Sequence, residues 1–112
     1  VAASYFALAE MDCQRKNWAK ALEHLDKSLV LNTKNLKARN LKAIVLQKLN
    51  RENEAENLLN QTLTIDKLDW VARFLSDEKL DCDSQTKLDI AHDLAKTGFF
   101  ELAIKCLENN LS

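Results

Sequence analysis

The stretch Trp18-Ala-Lys-Ala21-Leu-Glu-His-Leu25-Asp-Lys-Ser28-Leu29-Val-Leu31 decides the fold. The same pattern returns 34 positions later, where Ala21, Leu25 and Ser28 become Ala55, Leu59 and Thr62. Leu29, Leu31 and Asn32 continue as Leu63, Ile65 and Asp66, and Ala9 upstream has its counterpart in Ala43. A third copy fits Ala91, Ala103, Leu107 and Asn110, followed by Leu111, at an offset of 48 that leaves 14 extra residues in between. Small residues at one set of positions and large ones at another fit helix-turn-helix units. The small ones sit where two helices touch, and the large ones face the core.

On these residues the chain resembles the tetratricopeptide repeat (TPR) family. Tyr5, Leu8 and Ala9 match the first-helix signature, and Trp18 to Leu31 follows the second-helix signature. Repeat two keeps Ala43, Leu46, Ala55 and Leu59, with Arg39 and Lys42 at two large apolar positions. Repeat three keeps Ile90-Ala91, Leu94, Gly98, Phe100, Ala103 and Leu107. Thr33 and Lys67 replace the repeat-ending proline, and Asp12 stands where an aromatic is usual. The resemblance implies an all-α, right-handed superhelix of helical hairpins, divided into repeat one (2–35), repeat two (36–69), an inserted helix (70–83) and repeat three (84–112). A weaker likeness, carried by LDWVARFL and DIAHDLAKTGFFELAI, is to TPR tail segments of large bacterial proteins of unknown function.

Period and punctuation predict helices near 2–15, 18–31, 35–49, 52–65, 69–79, 85–97 and 99–111. Gly98 is expected to supply a left-handed turn, with Asn17 and Asn50 serving the same purpose in the first two repeats. Asp83 or Ser84 is the expected N-cap of the sixth helix. The inserted segment aligns at its start with repeat two: Asp69-Trp70-Val71 matches Asn35-Leu36-Lys37. It is expected to begin on schedule and break near Asp81-Cys82-Asp83. It then serves either as an irregular extra helix that shifts superhelical pitch or as a wedge presenting Trp70 and Phe74. At the end of the chain, Leu107 and Leu111 are expected to lie uncapped, which favours either further protein or an end that pairs with another copy.

Composition narrows the function classes. With 16 Lys and Arg against 17 Asp and Glu, the net charge of −1 offers no global field for nucleic acid or an anionic membrane. One Gly and no Pro argue against an all-β barrel or sandwich. Cys13, Cys82 and Cys106 are odd in number and irregularly spaced, which favours a reducing, cytoplasmic setting. They also lack metal-ligand spacing. His24 and Cys106, or Cys13 and His92, fall two repeats apart in this register, too far for a nucleophile and its base. No catalytic, metal or cofactor site is expected.

The resemblance also implies a concave groove lined by the first helix of each repeat. Carried over by position, repeat one contributes Ala3, Phe6, Glu10, Cys13 and Gln14, and repeat two contributes Lys37, Asn40, Ile44, Gln47 and Lys48. Repeat three contributes Gln85, Leu88, His92, Ala95 and Lys96, provided the inserted helix does not displace it. The candidate groove residues are Phe6, Glu10, Lys37, Asn40, Ile44, Gln47, Lys48 and His92. Family members that clamp a peptide carboxylate need other residues where Phe6, Glu10, Leu41, Gln85 and Asp89 stand, which argues against that ligand. From Lys34 to Arg51 the chain has six cations and no acid. This stretch is either a solvated face partly balanced by Glu52, Glu54 and Glu56 or a groove for an acidic, partly hydrophobic peptide, with Lys37 and Lys48 as charge partners and Ile44 as floor. The expected partner is a protein or peptide. The expected function is thus a non-enzymatic protein-interaction scaffold. The alternative is a spacer or self-associating segment of a larger bacterial protein.

Overall fold

A computed structural model of the chain describes residues 2–109, with side chains from Tyr5 onward. Seven helices and no strand occur among the described residues. They are α1 (Ala2–Gln14), α2 (Trp18–Leu31), α3 (Leu36–Lys48), α4 (Glu52–Ile65), α5 (Trp70–Leu75), α6 (Ser84–Lys96) and α7 (Phe100–Leu107). Helices α1 and α2, α3 and α4, and α6 and α7 form antiparallel hairpins, with α2 also packed on α3. The small residues of the repeat explain the close approach. Ala9, Ala21 and Ser28 are fully buried in the first hairpin, as are Ala43, Ala55 and Thr62 in the second. A larger side chain at such a crossing typically costs about 1–3 kcal/mol in overpacking.

The local hydrogen bonds repeat with the same period. Asn35 Oδ1 accepts from the Ala38 amide, Asp69 Oδ1 from the Val71 and Ala72 amides, and Asp83 Oδ1 from the Thr86 amide. Each carboxamide or carboxylate satisfies donors that the first helical turn leaves without partners. The bonds from Thr86 hold the Asp83 carboxyl below the ordinary aspartate range. The cap's contribution is therefore fully present above that range and is lost as pH falls below it, through the lowered value. Arg39 Nε donates to the Thr33 carbonyl at 2.6 Å, and Arg73 Nε donates to that of Lys67 at 2.8 Å. Arg39, at one of the repeat-two apolar positions, and its counterpart Arg73 thus tie the inter-repeat turns.

The helix C-termini correct one expectation. The left-handed residues are Lys16 (φ 59°), Asn50 (φ 61°), Asp77 (φ 65°) and Gly98 (φ 95°). Asn50 and Gly98 serve as predicted, but in repeat one Lys16 takes the place assigned to Asn17. The repeat spacing fixes this: Lys16 lies 34 positions before Asn50, so geometry overrides the preference of Asn for positive φ. After each of these four, the next amide donates five residues back: Asn17 to Asp12, Arg51 to Leu46, Glu78 to Arg73 and Phe99 to Leu94. These are the closing bonds of a Schellman motif.

Helix α5 is the main departure. It starts on schedule behind the Asp69 cap, yet ends at Leu75 rather than 79, with Asp77 left-handed. Ser76, Asp77, Asp81 and Asp83 are weak helix formers. Leu80, which aligns with Leu46 of α3, is fully buried in the non-helical segment that follows. Asn109 holds this segment from the far end of α7. Its Oδ1 accepts from the Leu80 amide at 2.6 Å, and its Nδ2 donates to the Glu78 carbonyl at 3.2 Å. Helix α6 begins at Ser84, directly behind Asp83, and α7 ends at Leu107. The expected extension of α7 through Asn110 and Leu111 lies outside the described residues.

Gly98 joins α6 to α7 beside α1. A Cβ placed on it would stand 3.7 Å from the Gln14 Cα, an ordinary contact, so the positive φ alone opposes substitution. Gly98→Ala is expected to destabilise the chain by about 1–2 kcal/mol while preserving its helicity. Urea unfolding followed by circular dichroism measures this, and an unchanged midpoint would contradict the left-handed turn.

Candidate partner-binding groove

Phe6 and Glu10 on α1 meet Lys37, Asn40, Leu41 and Ile44 on α3, with Val71 of α5 beyond. Five of the eight candidate residues therefore converge on one concave surface. Each comes from the helix face that the repeat register assigns to it.

One side of the concave surface is closed within the chain. Ile90, Asp93, Leu94 and Lys96 of α6, together with Thr97 and Phe99 of the following turn, form the opposite wall and leave a cavity of about 200 Å³. Ile90 and Leu94, one helical turn apart, are both buried. The end of α6 is fastened to the first hairpin. Gln14 Nε2 donates to the Lys96 carbonyl at 3.0 Å, and the Trp18 and Phe99 rings stack 5.8 Å apart at an interplanar angle of 17°. Such a ring pair contributes about 1 kcal/mol beyond the area it buries.

The remaining candidates sit elsewhere. Gln47 lines a different cleft, beside Glu52 and Leu59. Lys48 is exposed, its Nζ standing 6.0 Å from the Trp18 ring centroid, and it does not line the cavity. His92 is exposed and does not line the cavity. The difference lies in which face of α6 turns inward. Ile90 and Leu94 align with Lys42 and Leu46, the face that α3 turns toward α2, where Lys42 Nζ meets Asp26 at 2.8 Å. With α5 cut short, α6 applies that stacking face to the concave surface, and the positions of Gln85, Leu88 and His92 face solvent. Asp93 and Thr97 line the cavity without having been expected, and only the path of residues 76–83 could have disclosed them. Phe74 is buried and Trp70 half-buried under Arg73, so the inserted helix does not present both aromatics as a wedge.

The cavity's charges balance, with Glu10 and Asp93 against Lys37 and Lys96. Much of the basic stretch is occupied internally. Lys42 pairs with Asp26, Arg39 holds the Thr33 carbonyl and Arg51 forms a two-pronged pair with Glu54. That pairing raises the Arg51 guanidinium and lowers the Glu54 carboxyl from their ordinary values. Asn40 Nδ2 donates to Asp69 Oδ2 at 3.0 Å, which turns its own Oδ1 into a buried site without a hydrogen-bond partner. An acceptor left this way costs about 1–3 kcal/mol. Asp12, in the place of the usual aromatic, instead meets His24 Nδ1 of α2 at 2.6 Å beneath Tyr5.

Residues 2–62, more than half of the chain, match the family model described as anaphase-promoting complex, cyclosome, subunit 3. The chain belongs to this TPR-like repeat family. No curated protein matches it. The matched span covers α1 to α3 and nearly all of α4, so α1 and α3, which carry the candidate residues of the concave surface, lie within it, and α5 to α7 lie beyond. No helix among the described residues is long and apolar enough to cross a membrane, and no three His, Cys, Asp or Glu side chains there cluster to hold a metal ion.

The three thiols differ in burial. Burial, with Asp12 and Glu10 adding negative charge nearby, pushes the Cys13 thiol up to about 12. Burial also raises that of Cys106, whose Sγ lies 3.7 Å from the Lys87 carbonyl. Both stay protonated at neutral pH, and thiolate is the reactive form. With Cys82 only half-buried, the native chain is expected to release one equivalent of chromophore with a disulfide reagent promptly. The other two are expected only on unfolding, and three prompt equivalents would contradict this packing.

Proposed function

We propose that this chain is a non-enzymatic protein-interaction module whose concave surface binds a segment of a peptide or protein partner. The reading rests on one observation: α1 and α3 bring Phe6, Glu10, Lys37, Asn40 and Ile44 to a single surface that already holds a helix through Ile90 and Leu94. A surface that accepts α6 accepts an amphipathic helix with apolar residues one turn apart, the helix-in-groove mode of recognition. A partner engages either at the open part of the cavity or in place of α6. Lys37, exposed at its margin, and Lys48, exposed at the end of α3 outside the cavity, favour acidic residues flanking the apolar ones. In this reading repeat one spans 2–35, repeat two 36–69, the inserted segment 70–83 and repeat three 84–112.

A second reading, a spacer or self-associating segment, is favoured by apolar residues at both ends of the stack. Phe100, Ile104 and Leu107 form an exposed stripe on α7, and Leu8 and Met11 are exposed on α1. In repeat one, Trp18, Leu22 and Leu25 occupy the positions of that stripe, on the helix that packs against α3.

Quantitative capture from a lysate by wild-type chain and by a Lys37→Glu, Lys48→Glu variant of equal helicity separates the two readings. Groove recognition predicts partners retained by the wild type and lost from the variant. Identical profiles, together with a mass that rises with concentration in sedimentation, would replace it with self-association.

A further inference from the structure

The early end of α5 leaves a seat on α4 that the rest of the repeat pattern would fill. Helix α3 has 13 residues and α5 has 6, so the last 7 residues of a first-type helix have no counterpart after repeat two. At 1.5 Å per residue this is about 10 Å of missing helix. The vacated space is a cleft of about 580 Å³ between the first half of α4, the end of α5 and α7. That volume is within the range of ligand sites. Its apolar lining comes from Leu59, Phe74 and Leu75, nearly buried at its floor, and from the half-buried Leu102.

The chemistry of the seat differs from that of its repeat-one equivalent. There Trp18 and Leu22 belong to the face of α2 that packs with α3, and both are half-buried. At the same two positions α4 carries Glu52 and Glu56. These carboxylates lie one turn apart on one face, both line the cleft, and neither has an ion-pair partner among the described residues. Arg51 does not neutralise them, because its guanidinium is engaged by Glu54. Asp77 adds a third carboxylate, and the cleft's one cation, Lys105, lies 3.8 Å from it. An apolar occupant would bury unpaired carboxylates here, whereas a cationic one would pair with them.

We propose that this cleft is a second docking site, separate from the concave groove, which receives a cationic amphipathic helix of a partner protein. Apolar residues of that helix lie against Leu59, Phe74 and Leu102, and Lys or Arg residues one turn apart meet Glu52 and Glu56. The partner thereby supplies the turns that α5 omits.

The probe is a fluorescein-labelled, acetylated peptide of leucine and lysine, 14 residues long like α4, with the two residue types on opposite faces of a helix. Saturable binding by the wild-type chain is expected. It should weaken about tenfold in a Glu52→Gln, Glu56→Gln variant of unchanged helicity, and vanish for the same peptide with glutamate in place of lysine. Amide shifts on binding are expected at Gln47, Glu52 to Asn60, Ser76 to Asp77 and Leu102 to Lys105. No saturable binding, equal binding by the double variant, or shifts centred on Lys37 and Ile44 would each overturn the proposal. Because the groove residues are untouched, failure here leaves the concave-surface reading to its own test.

Discussion

Everything distinctive about this chain follows from where one helix stops. Helix α5 starts as its counterpart α3 does, behind the same kind of cap and with the same arginine tied to the preceding turn. At Asp77 the backbone turns left-handed and the Glu78 amide closes back on Arg73. Leu80 is then buried in a segment that Asn109 holds non-helical from the other end of the third hairpin. Continuing the helix would forfeit those contacts and place several weak helix formers in its interior. Stopping it sends the third hairpin over the concave surface.

Two consequences arise together. The groove acquires an internal occupant, fastened by the Trp18–Phe99 stack and the Gln14–Lys96 hydrogen bond. The outer face of α4 loses half of its neighbour, and the apolar residues suited to such a neighbour are there replaced by Glu52 and Glu56. The same seven omitted residues thus close one surface and open another of different chemistry. The small-residue crossings keep the hairpins intact through both changes, because they depend on contacts inside each hairpin.

What the sequence disclosed is what local periodicity controls. The 34-residue offset located all the helices of the first two repeats to within a residue or so, and it paired Ala9 with Ala43 and Ser28 with Thr62 at buried crossings. The caps at Asp83 and Gly98 were legible because each has a local steric or hydrogen-bonding cause. Lys16 was legible in principle, since the offset from Asn50 points to it, but residue preference drew attention to Asn17 instead. The facing of α6 was not legible. It depends on the path of residues 76–83 and on the contact from Asn109, and neither leaves a periodic trace. The inward position of His92 failed for that reason. Phe6, Glu10, Lys37, Asn40 and Ile44, which need only the first two repeats, came together.

The seating of α6 in the groove is tested most directly by proton–proton distances between Trp18 and Phe99. Nuclear Overhauser spectra of the intact chain are expected to show cross-peaks between the indole and phenyl protons, consistent with ring centroids 5.8 Å apart. They should also show Phe99 resonances shifted by the neighbouring ring. A Phe99 ring with random-coil shifts and no cross-peak to Trp18 would mean that the third hairpin stands away from the concave surface and that the groove is open.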